Sequence, residues 1–79
     1  MNIKVLGTGC ANCKSLEKAT YSAVAELGID ASIEKVEDIT KIMAYGIMRT
    51  PGLVIDEKVV LSGRIPGMTE LKEIISKSV

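Results

Sequence analysis

Between Ile3 and Val36 the chain reads as two short β-branched runs separated by one long helical stripe, an order that leaves few ways to fold. Ile3 to Leu6 reads as a first strand that runs into the glycine-rich turn Gly7-Thr8-Gly9. From near Cys10 to Leu27, the apolar residues Leu16, Ala19, Ala23, Val24 and Leu27 recur at three- and four-residue spacing and line one face of a helix. Gly28 stands where a left-handed helix stop belongs. Ile29, Ala31 and Ile33 then alternate with polar neighbours, which predicts a second strand ending near Val36. Two strands joined through a helix pair in parallel by a right-handed crossover.

The rest of the chain completes a sheet. Asp38 is placed to cap a second helix on which Ile39, Ile42 and Met43 share a face and which Gly46 ends. Thr50-Pro51-Gly52 breaks the chain. Leu53-Val54-Ile55 and Val59-Val60-Leu61 flank Asp56-Glu57-Lys58 as a β-hairpin, and Gly63 to Gly67 forms a turn. Leu71, Ile74 and Ile75 line a last helix, with Gly67 and Glu70 as its N-terminal cap region. The expected fold is therefore α/β, in the order βαβαββα, with a four-stranded mixed sheet flanked by three helices. Met43, Met48 and Met68 read as core and loop filler.

A chain of 79 residues suits one domain spanning 1–79, and its modest core must be built from Ile, Val, Leu and Met, since Tyr21 and Tyr45 are its only aromatics. Ten basic side chains balance ten acidic ones, which argues against nucleic acid as a partner. No stretch approaches the roughly 20 apolar residues of a membrane span. The apolar run at Met1 to Gly7 is too short for a secretory signal, so the expected compartment is the cytoplasm, and a monomer the expected form.

Cys10 and Cys13 are the only cysteines. In a reducing compartment they do not serve as a permanent staple, and a bridge across two residues constrains little of the unfolded chain. Their position says more. At the first turn of a helix, residues i and i+3 lie on one face about 5–6 Å apart, within the separation that a disulfide accepts. The helix N-terminus offers unpaired N–H groups and partial positive charge, which favour thiolate at Cys10. Cys10 is thus the candidate nucleophile. Cys13, one turn deeper and facing the sheet, is the candidate resolving thiol. Lys14 adds a little positive potential but reads first as a solvated lysine.

The run Gly7-Thr8-Gly9-Cys10-Ala11-Asn12-Cys13, the Thr50-Pro51 step and the Gly63-Arg64 turn resemble the thioredoxin and glutaredoxin superfamily, in particular its very short thioredoxin-like members. The resemblance covers essentially the whole chain. It implies thiol–disulfide exchange with protein disulfides by an electron carrier of the protein-disulfide-reductase type, re-reduced by a thioredoxin-reductase-like donor. The redox-active Cys10–Cys13 pair would serve as the only prosthetic element, with no metal. It also implies an active-site loop of Thr8, Gly9, Ala11 and Asn12. Pro51 would be cis beside the cysteines, leaving the Thr50 backbone to pair with substrate by strand addition.

The departures are informative. No tryptophan precedes Cys10, and the absence of any histidine removes a Cys–His pair. With no imidazolium near Cys10, a reducing or intermediate poise is expected. No acidic residue on the first strand or helix is evidently placed as a buried proton relay for Cys13. Arg49-Thr50-Pro51 and Ser62-Gly63-Arg64 match glutathione-holding segments poorly. Arg49 and Arg64 either raise the potential of the active face or sit as solvated or paired surface charges.

Two other classes stay open at this level. Gly9-Cys10-Ala11-Asn12-Cys13 also resembles the loop of heavy-metal-associated domains, in which two thiolates carry copper(I). Those domains run strand, helix, strand, strand, helix, strand, whereas this chain is expected to end in a helix. A non-catalytic module that senses redox state through the same pair is the third class.

Overall fold

The computed structural model describes residues 1–8, 11–47 and 49–78. Its elements follow the expected order: β1 (Asn2–Leu6), α1 (Ala11–Leu27), β2 (Ser32–Val36), α2 (Ile39–Ala44), β3 (Gly52–Ile55), β4 (Lys58–Ser62) and α3 (Met68–Lys77). The four strands form one sheet in the order β2-β1-β3-β4. β1 runs parallel to β2, with Ile3 opposite Ile33, and antiparallel to β3, with Lys4 opposite Val54. The crossover through α1 therefore forms as its length and flanking strands require.

Strand alternation divides the core. Ile3 and Val5 of β1, with Leu53 and Ile55 of β3, point to the face covered by α1 and α3. There they meet Leu16, Ala23, Leu71 and Ile75. Leu6 and Val54, one residue out of phase, point the other way and meet Val36, Ile42 and Ile47 beneath α2. β3 is buried along its whole length, as a central strand covered on both faces must be.

Several local signals act as the sequence suggests. Asp38 Oδ1 accepts the Thr40 N–H at 2.9 Å and caps α2. Gly28 and Gly46 adopt positive φ at the ends of their helices.

Other expectations are corrected. Ile29 and Ala31 precede β2 instead of opening it; both still pack against the core, so the alternation reported partial burial rather than strand pairing. The hairpin turn is only two residues, Asp56 and Glu57, both at positive φ, and Lys58 already belongs to β4. A bulge at Leu53/Val54 brings Val54 opposite Val59 and leaves Val60 as the extra residue. Gly67 does cap α3, without a side chain to do so, but Glu70 turns to Arg64 instead of back to the helix start. On α2 only Ile42 is buried; Ile39 and Met43 are 60% and 67% exposed. Met43 and Met68 are thus exposed rather than filler, and Met48 lies outside the described residues. No helix among the described residues is long and apolar enough to cross a membrane.

Candidate functional site

The site forms where β1 hands the chain to α1. After Leu6, the Gly7 N–H donates to the Val36 carbonyl at 2.9 Å and carries the β1–β2 ladder one residue further. Thr8 is exposed. Gly9 and Cys10 lie outside the described residues, and α1 begins at Ala11, so Ala11 and Asn12 stand exposed in its first turn.

Cys13 is 2% exposed. Its burial follows from spacing, since Cys13, Leu16, Thr20, Ala23 and Val24 occupy one face of α1, and that face is pressed onto the sheet. Thr20, not singled out from the sequence, is tolerated there because its hydroxyl donates to the Leu16 carbonyl at 2.7 Å. Cys13 is disulfide-bonded. The first turn of α1 contains no acidic residue, so its unpaired N–H groups and partial positive charge are not offset locally.

Gly7 has a second duty beyond the turn. A Cβ at that position would stand 2.8 Å from the Cβ of Cys13 and closer still to its sulfur. Only glycine lets the strand end pass this close to Cys13.

The Thr50–Pro51 bond is cis, as the resemblance implied. Pro51 is buried and Thr50 exposed. The Pro51 carbonyl accepts the Gly63 N–H at 2.9 Å, which ties this loop to the turn after β4. Among the described residues, Thr50 makes no backbone hydrogen bond outside the helices and strands. Thr8 and Thr50 line a groove of about 380 Å³ together with Ile39, Ile42, Met43 and Ile47. The sequence puts Ile39, Ile42 and Met43 on one helix face, with Met43 read as filler; of the three, the sheet covers only Ile42.

The charged residues near the loop separate into two cases. Both terminal nitrogens of the Arg64 guanidinium donate to Glu70, Nη1 to Oε1 at 2.9 Å and Nη2 to Oε2. This pair holds the Glu70 carboxyl below its ordinary range and raises Arg64. Arg49 instead lays its stem against Gly63.

On the far side of α2, Lys4 Nζ donates to Glu57 Oε1 at 2.7 Å and to the Tyr45 hydroxyl at 2.9 Å, and that hydroxyl donates to Glu57 Oε2 at 3.0 Å. The hydrogen bonds to Glu57 and Tyr45 hold Lys4 well above its usual range, and those from Lys4 and Tyr45 hold Glu57 below its own.

Comparison with known proteins gives one consistent result. Residues 1–76 match the family model described as the thioredoxin domain. A thioredoxin of Methanothermobacter thermautotrophicus is 45% identical over 76 residues, covering 96% of this chain and 99% of that protein. A thioredoxin of Methanocaldococcus jannaschii is 42% identical over 71 residues, covering 90% of this chain and 81% of that one. The fold is also that of thioredoxin 1 from Thermosipho africanus, with a TM-score of 0.61 at 20% identity over 98% of this chain and 92% of that one.

Proposed function

The chain is a thiol–disulfide oxidoreductase of the thioredoxin family, and we propose that Cys10 attacks the substrate disulfide while Cys13 resolves the complex. The observation that carries this division is the burial of Cys13 on the core face of α1 behind Gly7. A sulfur so enclosed is poorly placed to meet a protein disulfide first. It is well placed to attack a bond formed one helical turn away. The observed order, ending in α3, departs from that of heavy-metal-associated domains and favours exchange over copper carriage.

In the forward direction the Cys10 thiolate attacks one sulfur of a substrate disulfide. A mixed disulfide forms, and the other substrate sulfur leaves as thiolate and takes a proton from water. Cys13 then loses its proton and attacks the Cys10 sulfur. The Cys10–Cys13 disulfide closes, and the second substrate thiolate leaves. Two electrons pass to the substrate, and a dithiol donor, of the thioredoxin-reductase kind, returns them.

Thr8, Gly9, Ala11 and Asn12 are assigned to substrate contact beside the attacking sulfur, a role that the exposure of Thr8, Ala11 and Asn12 supports. Thr50, exposed beside buried Pro51, supplies its backbone groups to an extended substrate segment. The substrates are protein disulfides.

The test is turnover. With dithiothreitol as reductant, each molecule should reduce a model protein disulfide many times, and Cys10→Ser should abolish this. Near-stoichiometric reduction by the intact protein would contradict catalysis and point to a redox-sensing module.

A further inference from the structure

Two arginines flank the hydrogen bond that joins Gly63 to Pro51, and they differ in one respect. Arg64 is neutralised by Glu70 through both of its terminal nitrogens. Arg49 has no carboxylate partner among the described residues. Its stem is nonetheless placed: a Cβ at Gly63 would stand 3.2 Å from Arg49 Cβ and 3.4 Å from its Cδ. Gly63, at φ +75°, both makes the turn and leaves the notch in which that stem lies. A cation on a held stem immediately precedes Thr50, and Thr50 itself lines the apolar groove.

We propose that Arg49 and this groove together select disulfide-bearing protein segments in which an apolar and an acidic side chain flank the reacting cysteine. The inference rests on the exchange reading above and names its substrate class. A segment laid across Thr50 places an apolar side chain against Ile39 and Met43, whose exposed surface it covers. A carboxylate on the same segment reaches Arg49, whose planar fork suits it. The groove, about 380 Å³ in volume, has room for an apolar side chain of a bound segment. The charge contact acts at the rim and in water. It therefore raises the rate of productive encounter, falls with salt, and leaves the chemical step unaltered.

The experiment uses three peptide disulfides that each carry Leu on one side of the cysteine and Glu, Gln or Lys on the other. With the intact protein at low salt, kcat/KM should fall in the order Glu, Gln, Lys, by about two- to fivefold per step, the range of an exposed ion pair. The difference should lie in KM and should collapse at high salt. Arg49→Gln should remove the order, and Arg49→Lys should restore most of it, which loss of a merely structural contact would not do. Replacing the peptide Leu by Ser should raise KM for all three.

An absent or reversed order in the wild type, or equal profiles for the Gln and Lys variants, overturns the selectivity while exchange stands. Turnover of none of the peptides overturns the exchange reading and the selectivity with it. Self-association of the wild type that Met43→Glu abolishes assigns the groove to a second copy and likewise overturns the proposal.

Discussion

The two faces of the sheet are covered unequally. On one, α1 and α3 close over Ile3, Val5, Leu53 and Ile55 with Leu16, Leu71 and Ile75, all essentially without exposure. On the other, the six residues of α2 bring only Ile42 fully inward against Leu6, Val36, Ile47 and Val54, and leave Ile39 and Met43 outside. The contrast separates two jobs. The thick face carries most of the apolar burial that offsets chain entropy. The thin face leaves apolar surface open beside Thr8 and Thr50, the surface proposed above to receive a substrate segment. Cys13 belongs by burial to the first face, and Thr50 by exposure to the second.

Truncations test this division most strongly. Leu16→Ala on the thick face should cost about 3–5 kcal/mol in urea unfolding, because its surroundings cannot collapse into the cavity. Ile42→Ala under α2 should cost less, about 2–3 kcal/mol, since a short helix can settle inward. Equal costs would erase the distinction between the faces.

Gly7→Ala probes the junction of the two. Its new methyl must displace Cys13 or the strand end, which overpacking data place at about 1–3 kcal/mol. Turnover should fall with stability, whereas a neutral variant would show that Cys13 yields easily.

The thin face has a polar brace in Lys4, Tyr45 and Glu57, which links β1, the end of α2 and the hairpin turn. The folded-state pKa of Glu57 lies below its ordinary value of 4.5. Its contribution to stability is thus complete above about that value and is lost as pH falls through the depressed folded pKa. Glu57→Gln should accordingly make unfolding less sensitive to pH across the acid range, read as urea midpoints at pH 7 and pH 3. An unchanged pH slope would remove the brace from the account. The smallest effect belongs to Met43→Ala, which should alter stability by less than about 0.5 kcal/mol while weakening substrate docking. A larger loss of stability would mean that Met43 is a core residue after all.

Much of this was legible in the sequence because it depends on local signals. The α1 stripe from Leu16 to Leu27, the glycine stops at Gly28 and Gly46, and the Asp38 cap each act within a turn or two of chain. The element order then follows from strand pairing rules. What could not be read depends on contacts between distant segments. Nothing in Gly7 alone announces that Cys13 packs against it six residues later, and nothing near Lys4 announces Tyr45 and Glu57. Met43, read as filler, stands exposed for a different reason: spacing identifies a shared face with Ile39 and Ile42, but what packs against that face decides how much of it is covered.

The division of labour between the cysteines is tested most directly by trapping. Each single variant, Cys13→Ser and Cys10→Ser, is mixed with an oxidised protein substrate, and mixed disulfides are counted by intact-mass spectrometry. Cys13→Ser should accumulate a 1:1 mixed disulfide through Cys10, while Cys10→Ser, left with only the sulfur behind Gly7, should accumulate little or none. Equal or greater trapping by Cys10→Ser would contradict the account.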